Sequence, residues 1–407
     1  MSQTKARAEA LPGDLRMMRE LWPLLLASAV GLVPFTIFST YLVPIARAAD
    51  TGVAAMGGLR GLGGLAALAV GTALAPLIDR VPRRWAAAGG LAVLAAAAGL
   101  GASGDYVLLA AFCLLTGAGT AVLNPALTAA AADRYGEGKA AGRAATLVTA
   151  TQSMTAMLAA PVIALPALVW GWRGDMVAVA LVALLLAAVL VAPGRGPEAG
   201  PGERVGYLAS FKALAALRGV PELLLIAFLR TAVFMGYLAY LAAYYDDRFG
   251  LGPGMFSLVW TLSGASFFVS NLLTGRLANA DAPRLPTERL LAAGLLGALV
   301  TATGFWFTHW LPLALLFTSL HAASHAVVAA CVVTLLVRRS GARRGAALSV
   351  NAAGMSLGVF AGAAAGGAGL GLAGYPGVAV VFGGMVAVAL GAAALVLRRS
   401  SAEAAGS

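Results

Sequence analysis

Charge is scarce in this sequence: Asp, Glu, Lys and Arg make up 11% of its 407 residues, while 60% are hydrophobic. A water-soluble fold of this length cannot bury so much apolar surface, which places the chain in lipid. Acids are scarcer than bases, 17 against 28, and none falls near the middle of an apolar run. Cysteine occurs only as Cys113 and Cys331, both inside apolar stretches, and histidine only three times. These numbers leave no metal-ligand cluster and no disulfide framework. Also missing are a phosphate-binding loop of Walker spacing and a plausible Ser/His/Asp set, so the chain reads as a non-enzyme with no cofactor and no metal. The opening segment around Lys5, Arg7, Arg16 and Arg19 has no apolar run ending in a small-residue cleavage site. No removable signal peptide is expected, and the first helix is itself the targeting signal.

What the sequence does have is apolar runs of membrane-spanning length. They are predicted at about 21–45, 53–78, 86–104, 106–131, 144–169, 174–192, 221–245, 255–275, 289–308, 312–337, 346–371 and 376–397. With the N-terminus inside, every basic residue falls on the cytoplasmic side except Arg47, Arg173 and Arg248 in outer loops and Arg60 and Arg230 within helices. The formal net charge of +11 is therefore topology and no nucleic-acid footprint. The fold expected is an all-α integral membrane protein of twelve transmembrane helices, multi-pass in a bacterial inner membrane, with both termini cytoplasmic and the chain a monomer.

The longest non-apolar stretch, 193–220, opens PGRGPEAGPGERVG and divides the helices six and six. Residues 1–192 and 221–407 are thus expected as two six-helix bundles joined by a cytoplasmic linker at 193–220. Loops repeat between them: APLIDRVPRR from Ala75 to Arg84 and GRLANADAPR from Gly275 to Arg284 stand about 200 residues apart, as do GRAA at Gly142 and RGAA at Arg344.

APLIDRVPRR, through Asp79, Arg80, Arg83 and Arg84, resembles the loop signature of the major facilitator superfamily; Ala75 and Pro82 replace its two glycines. The GWR before helix 6 and the RGAALSVNAAGMSLG run entering helix 11 are similar to that family's patterns. The resemblance implies two pseudo-symmetric bundles that rock around a central cavity lined by helices 1, 4, 7 and 10. It also implies a gating role for Asp79, Arg80, Arg83 and Arg84, whose charge pairs would break when the halves move; anchorage of these arginines to anionic lipid is the plainer reading. Cys113 stands where the family's proton antiporters commonly carry an arginine on helix 4, and their helix 5 motif survives only as APVIAL, Ala160 to Leu165.

Polar groups inside the hydrocarbon are functional candidates. Arg230 lies about 13 Å into helix 7, on one face with Phe234, Tyr237, Leu241 and Tyr244. His321 and His325 stand one turn apart on helix 10 at comparable depth, as candidates for substrate binding and, since no midplane carboxylate is present, for proton coupling. Interhelical hydrogen bonding is the alternative for both. Asn124 on helix 4 and Gln152 on helix 5 are further candidate substrate contacts, with helix packing as their plainer role. Arg60 is placed near the outer surface.

The function expected is secondary active transport of a small organic compound by alternating access, in the form of proton-coupled export of a drug or metabolite. The rivals are an uptake or exchange carrier for an organic anion, favoured by Arg230, and a membrane sensor with a carrier fold. The partners expected are the small-molecule substrate, protons and membrane lipid.

Overall fold

The computed structural model describes residues 14–73, 81–136, 139–192, 214, 216–278 and 285–405, and among these every regular element is helical. Ten helices are long and apolar enough to cross a membrane. Two of them exceed one crossing: Lys139–Val191 has 53 residues and Arg344–Ala405 has 62. At 1.5 Å per residue these span roughly 80 and 90 Å, against a hydrocarbon core of ~30 Å. Each is broken where the chain turns back. Gly171 holds φ 67 and ψ 177, and Gly374 holds φ 62 and ψ −156, a backbone region that a β-carbon makes costly. Counted on either side of these breaks, the described residues provide twelve segments of membrane-spanning character.

Helix 1 rises in three segments, Asp14–Val30, Val33–Thr40 and Leu42–Ala48. Helix 2 is Val53–Ala73, helix 3 Arg83–Gly101 and helix 4 Tyr106–Asp133; helices 5 and 6 share Lys139–Val191. The second set runs Val220–Phe249, Pro253–Ala278, Thr287–Gly304 and Leu311–Ser340 as helices 7 to 10, with helices 11 and 12 sharing Arg344–Ala405. Most starts and stops follow local chemistry. Asp105, for example, accepts from the main-chain N–H groups of Val107 and Leu108 at 2.9 and 3.0 Å and so caps helix 4. The expected linker falls mainly on 193–213 and 215, outside the described residues.

The two sets of six helices are built alike. Pro82 and Pro286, about 200 positions apart, lead into helices 3 and 9 with matching backbones, φ −53, ψ 136 and φ −55, ψ 138. Gly90 abuts Leu123 and the carbonyl of Gly119, while Gly294 abuts Val327, Val328 and the carbonyl of Ser324, the same contact made twice. An ion pair recurs there with its signs exchanged. In the first set Arg83 at the start of helix 3 lies 3.9 Å from Asp133 at the end of helix 4; in the second, Glu288 at the start of helix 9 accepts from Arg339 of helix 10 at 3.0 Å.

The apolar residues divide by depth. One core cluster joins both sets: Ile37, Phe38, Phe112 and Met176 of the first pack with Tyr237, Tyr240, Trp306 and Phe382 of the second. These first-set residues lie toward the face away from the termini. A separate cluster of Met17, Leu21, Leu91, Leu94, Leu127 and Leu186 belongs to the first set alone and lies toward the face where the chain begins and ends. Helix 2 meets helix 11 along small residues, Gly61 and Gly64 lying against the main chain at Ser356 and Phe360, the close approach that small residues permit in lipid. Polar links between the two sets include Arg47 of helix 1 to Asp246 of helix 7 at 3.8 Å and Trp260 of helix 8 donating to the carbonyl of Ala156 of helix 5 at 3.0 Å. Outward, the bundle presents Leu168, Val169, Leu372 and Val380, a surface suited to acyl chains rather than water.

Candidate functional site: a buried Arg and His cluster

Steps of four and three residues return to one side of a helix, so Arg230, Phe234 and Tyr237 share a face of helix 7. Helix 10 opposes it with His321 and His325. The Phe234 ring stacks on His325 with centroids 5.3 Å apart, and on Phe267 of helix 8 at 5.3 Å. Tyr237 lies 4.2 Å from the ring of His321 and shares a hydrogen bond of 2.9 Å with Thr318. The two imidazoles are 4.4 Å apart.

The hydrogen bonds fix part of the chemistry. Thr301 Oγ1 of helix 9 donates to the carbonyl of Gly297 at 2.8 Å, which spends its only proton. His321 Nδ1, 2.9 Å from the same oxygen, is therefore the donor, and in the neutral ring its Nε2 is left as an acceptor. Among the described residues that Nε2 has no partner, and His325 has none at either nitrogen. Both rings are fully enclosed. Arg230 is 6% exposed and about 15 Å from the start of helix 7, near the midplane. One of its nitrogens donates to Thr231 Oγ1 at 3.1 Å, and among the described residues no carboxylate comes within ion-pair reach of it.

The structure thus gathers Arg230, Phe234, Tyr237, His321 and His325 into one cluster enclosed among helices 7 to 10. The ring of His321 is turned toward helix 9. Asn124 and Gln152 form a separate pair: Gln152 Nε2 donates to Asn124 Oδ1 at 3.1 Å, tying helix 5 to helix 4, with both side chains partly exposed. Of the loop residues, Arg83 pairs with Asp133, and Arg84 follows it in the first turn of helix 3. Asp79 and Arg80 lie outside the described residues. Arg60 is enclosed by protein: it is 8% exposed, about 10 Å from the start of helix 2, beside Cys113 and Tyr240, with Nη1 unpartnered among the described residues. Close packing of helix 2 on helices 4, 7 and 11 covers it.

Thr301, Thr318 and Phe267 complete the cluster without having been singled out from the sequence, because single Thr and Phe residues are common in membrane helices. The aromatic block beside it is also new: Tyr244 donates to the carbonyl of Thr308 at 2.6 Å and packs against Phe305, Trp306 and Tyr375. Among the described residues no third His, Cys, Asp or Glu joins the two histidines, so the cluster lacks the donor set of a tetrahedral metal site.

Several solved structures share this architecture. A bacterial homologue of the human lysosomal transporter Spinster, in an inward-facing and unoccupied conformation, aligns with TM-score 0.73 at 16% identity, over 95% of this chain and 96% of that one. The nucleoside transporter NupG, as its D323A mutant, aligns with TM-score 0.76 at 13% identity, over 92% and 99%. The human organic anion transporter MFSD10 aligns with TM-score 0.59 at 19% identity, over 94% and 100%. At these identities the likeness is one of fold. No curated protein matches in sequence. The profile of the Major Facilitator Superfamily matches residues 24–319, most of the chain, and settles the question of kinship: the chain belongs to the Major Facilitator Superfamily of membrane transporters.

Proposed function

We propose that the protein is a secondary active transporter that exports a small organic compound, a drug or a metabolite, in exchange for protons by alternating access. The observation that carries this reading is the split core. Near the face away from the termini the two sets of helices share one apolar cluster, whereas near the terminal face the first set keeps a cluster of its own. Two bodies whose described residues share an apolar cluster toward one end and not toward the other are arranged to rock. With the termini cytoplasmic, as the distribution of basic residues argues, this is the state closed to the outside. Opening outward would break Arg47–Asp246 and part the small-residue seam of helices 2 and 11. Asp79, Arg80, Arg83 and Arg84 would then close the cytoplasmic end.

In this reading Arg230, Phe234 and Tyr237 contact the solute from the second set, and Asn124 and Gln152 from the first. His321 and His325 carry the protons, imidazole being the side chain at this depth whose unperturbed pKa lies nearest neutrality. The test is flux in proteoliposomes with an imposed pH gradient and a panel of cationic, neutral and anionic compounds. Gradient-driven movement of at least one compound is expected, abolished by a protonophore. Flux indifferent to the gradient would sink proton coupling, and absence of flux across the panel would sink transport.

A further inference from the structure

Buried polar groups in folded proteins nearly always have partners, and a charge removed from water is costly unless paired. The cluster on helices 7 and 10 departs from this rule at adjacent positions. Arg230 is buried with no carboxylate in reach among the described residues. His325, fully enclosed and stacked on Phe234, which shares a helical face with Arg230, lacks a partner at both nitrogens among the described residues. Packing alone gives no reason for these residues, since apolar side chains of similar shape would fill the space without the desolvation cost.

We propose that Arg230 and His325 hold the anionic group, a carboxylate or phosphate, of the transported organic solute, with Phe234 and Phe267 flanking its apolar body. The inference rests on the transport reading above and names the class of solute. Thr231 prepares the site. Its hydroxyl proton goes to the carbonyl of Ala227 at 2.8 Å, so its oxygen accepts from Arg230 and fixes the guanidinium. The remaining guanidinium N–H groups keep the planar fork that matches two oxygens of a carboxylate or phosphate. A neutral imidazole always carries one N–H, which gives His325 a further donor for the same group. A cationic solute would meet only repulsion here. Enclosed water would satisfy the imidazole but leave the charge of Arg230 uncompensated.

The test is the thermal stability of the full-length protein purified in detergent, at constant ionic strength, with four probes sharing a phenyl ring: benzoate, phenyl phosphate, benzylammonium and benzyl alcohol. Benzoate or phenyl phosphate should raise Tm in a saturable way, and the cation and the alcohol should not. Arg230→Gln should weaken the anion response at least tenfold, whereas Arg134→Gln, which removes an exposed arginine, should leave it unchanged. If Arg230→Gln does not fold, the wild-type probe series together with His325→Gln decides. No saturable shift with either anion, or a shift kept in both Arg230→Gln and His325→Gln, overturns the proposal. Because the readout is binding, the two readings fail separately. Protein that binds benzoate without moving any solute supports this site and sinks transport, while protein that moves cations and ignores both anions does the reverse.

Discussion

The hydroxyl of Tyr240 on helix 7 donates to the main-chain carbonyl of Ala363 on helix 11 at 2.6 Å, and its ring occupies the space that a β-carbon on Gly57 of helix 2 would need. One side chain therefore locks three helices at the face away from the termini, and the carbonyl of Ala54 lies 3.5 Å from the same hydroxyl. Gly57→Val should force the ring out and part the halves at that face. Spin labels on Arg47→Cys and Asp246→Cys should then report a longer distance than in the parent. An unchanged distance would show that the lock is not what holds the face closed. Tyr240→Phe should have the same direction of effect at a cost of about 1 kcal/mol, the worth of one hydrogen bond.

The repeated ion pair offers a second measurement. Glu288 and Arg339 meet at 3.0 Å with both side chains 19% exposed, whereas Arg83 and Asp133 are 3.9 Å apart and more open. Glu288→Gln should lower stability by about 1–3 kcal/mol, as expected for a charge-assisted bond lost in a half-buried site. Asp133→Asn should cost less than about 1 kcal/mol. Denaturation midpoints in detergent would rank the two, and equal losses would contradict the geometry.

The histidines should respond differently to substitution although they are one turn apart. His321 is anchored by Thr301 and covered by Tyr237, so His321→Ala should destabilise the protein by about 2–4 kcal/mol through a lost hydrogen bond and a cavity. Among the described residues His325 makes ring contacts but no hydrogen bonds. His325→Phe should leave Tm unchanged or raise it while abolishing gradient-driven flux, the pattern of a group kept for function at the expense of stability. Retained flux in the combined variant of His321→Ala with His325→Ala would remove both from proton coupling.

The two chain reversals within long helices supply a fourth prediction. Gly171 and Gly374 have positive φ in a region open almost solely to glycine. Gly171→Ala and Gly374→Ala should each cost about 1–3 kcal/mol. The effect should be additive in the double variant, because the sites lie in different sets of helices. Thermal unfolding of the three variants checks it.

The fold was legible because lipid imposes a blunt rule, an apolar run for every crossing, and the predicted runs coincide with the helices to within several residues. Helix 1 begins at Asp14 instead of near 21, because its first turns carry Arg16 and Glu20 bonded to each other at 2.9 Å and so read as polar, and helix 12 runs on to Ala405 instead of 397. The grouping of Arg230, Phe234 and Tyr237 followed from helical period, and that of His321 and His325 from one turn of helix 10. What one-dimensional pattern does not carry is which neighbour a face meets. The ring of His321 turns to Thr301 on helix 9, and Arg60 lies beneath Tyr240, contacts between segments far apart in sequence. Asn124 and Gln152 were legible as polar positions, but their hydrogen bond to each other depends on how helices 4 and 5 are set side by side.

Arg60 and Arg230, each buried without a carboxylate in reach among the described residues, have an electrical consequence. A full elementary charge carried across a membrane potential of 100 mV is worth ~2.3 kcal/mol, and a fraction of the crossing a proportional share. Rocking of the bundles would move both guanidinium groups through part of that field. The empty carrier would then reorient at a rate set by the membrane voltage. A carrier holding an anion would travel with less net charge and feel the voltage less, so the potential would act chiefly on the return stroke.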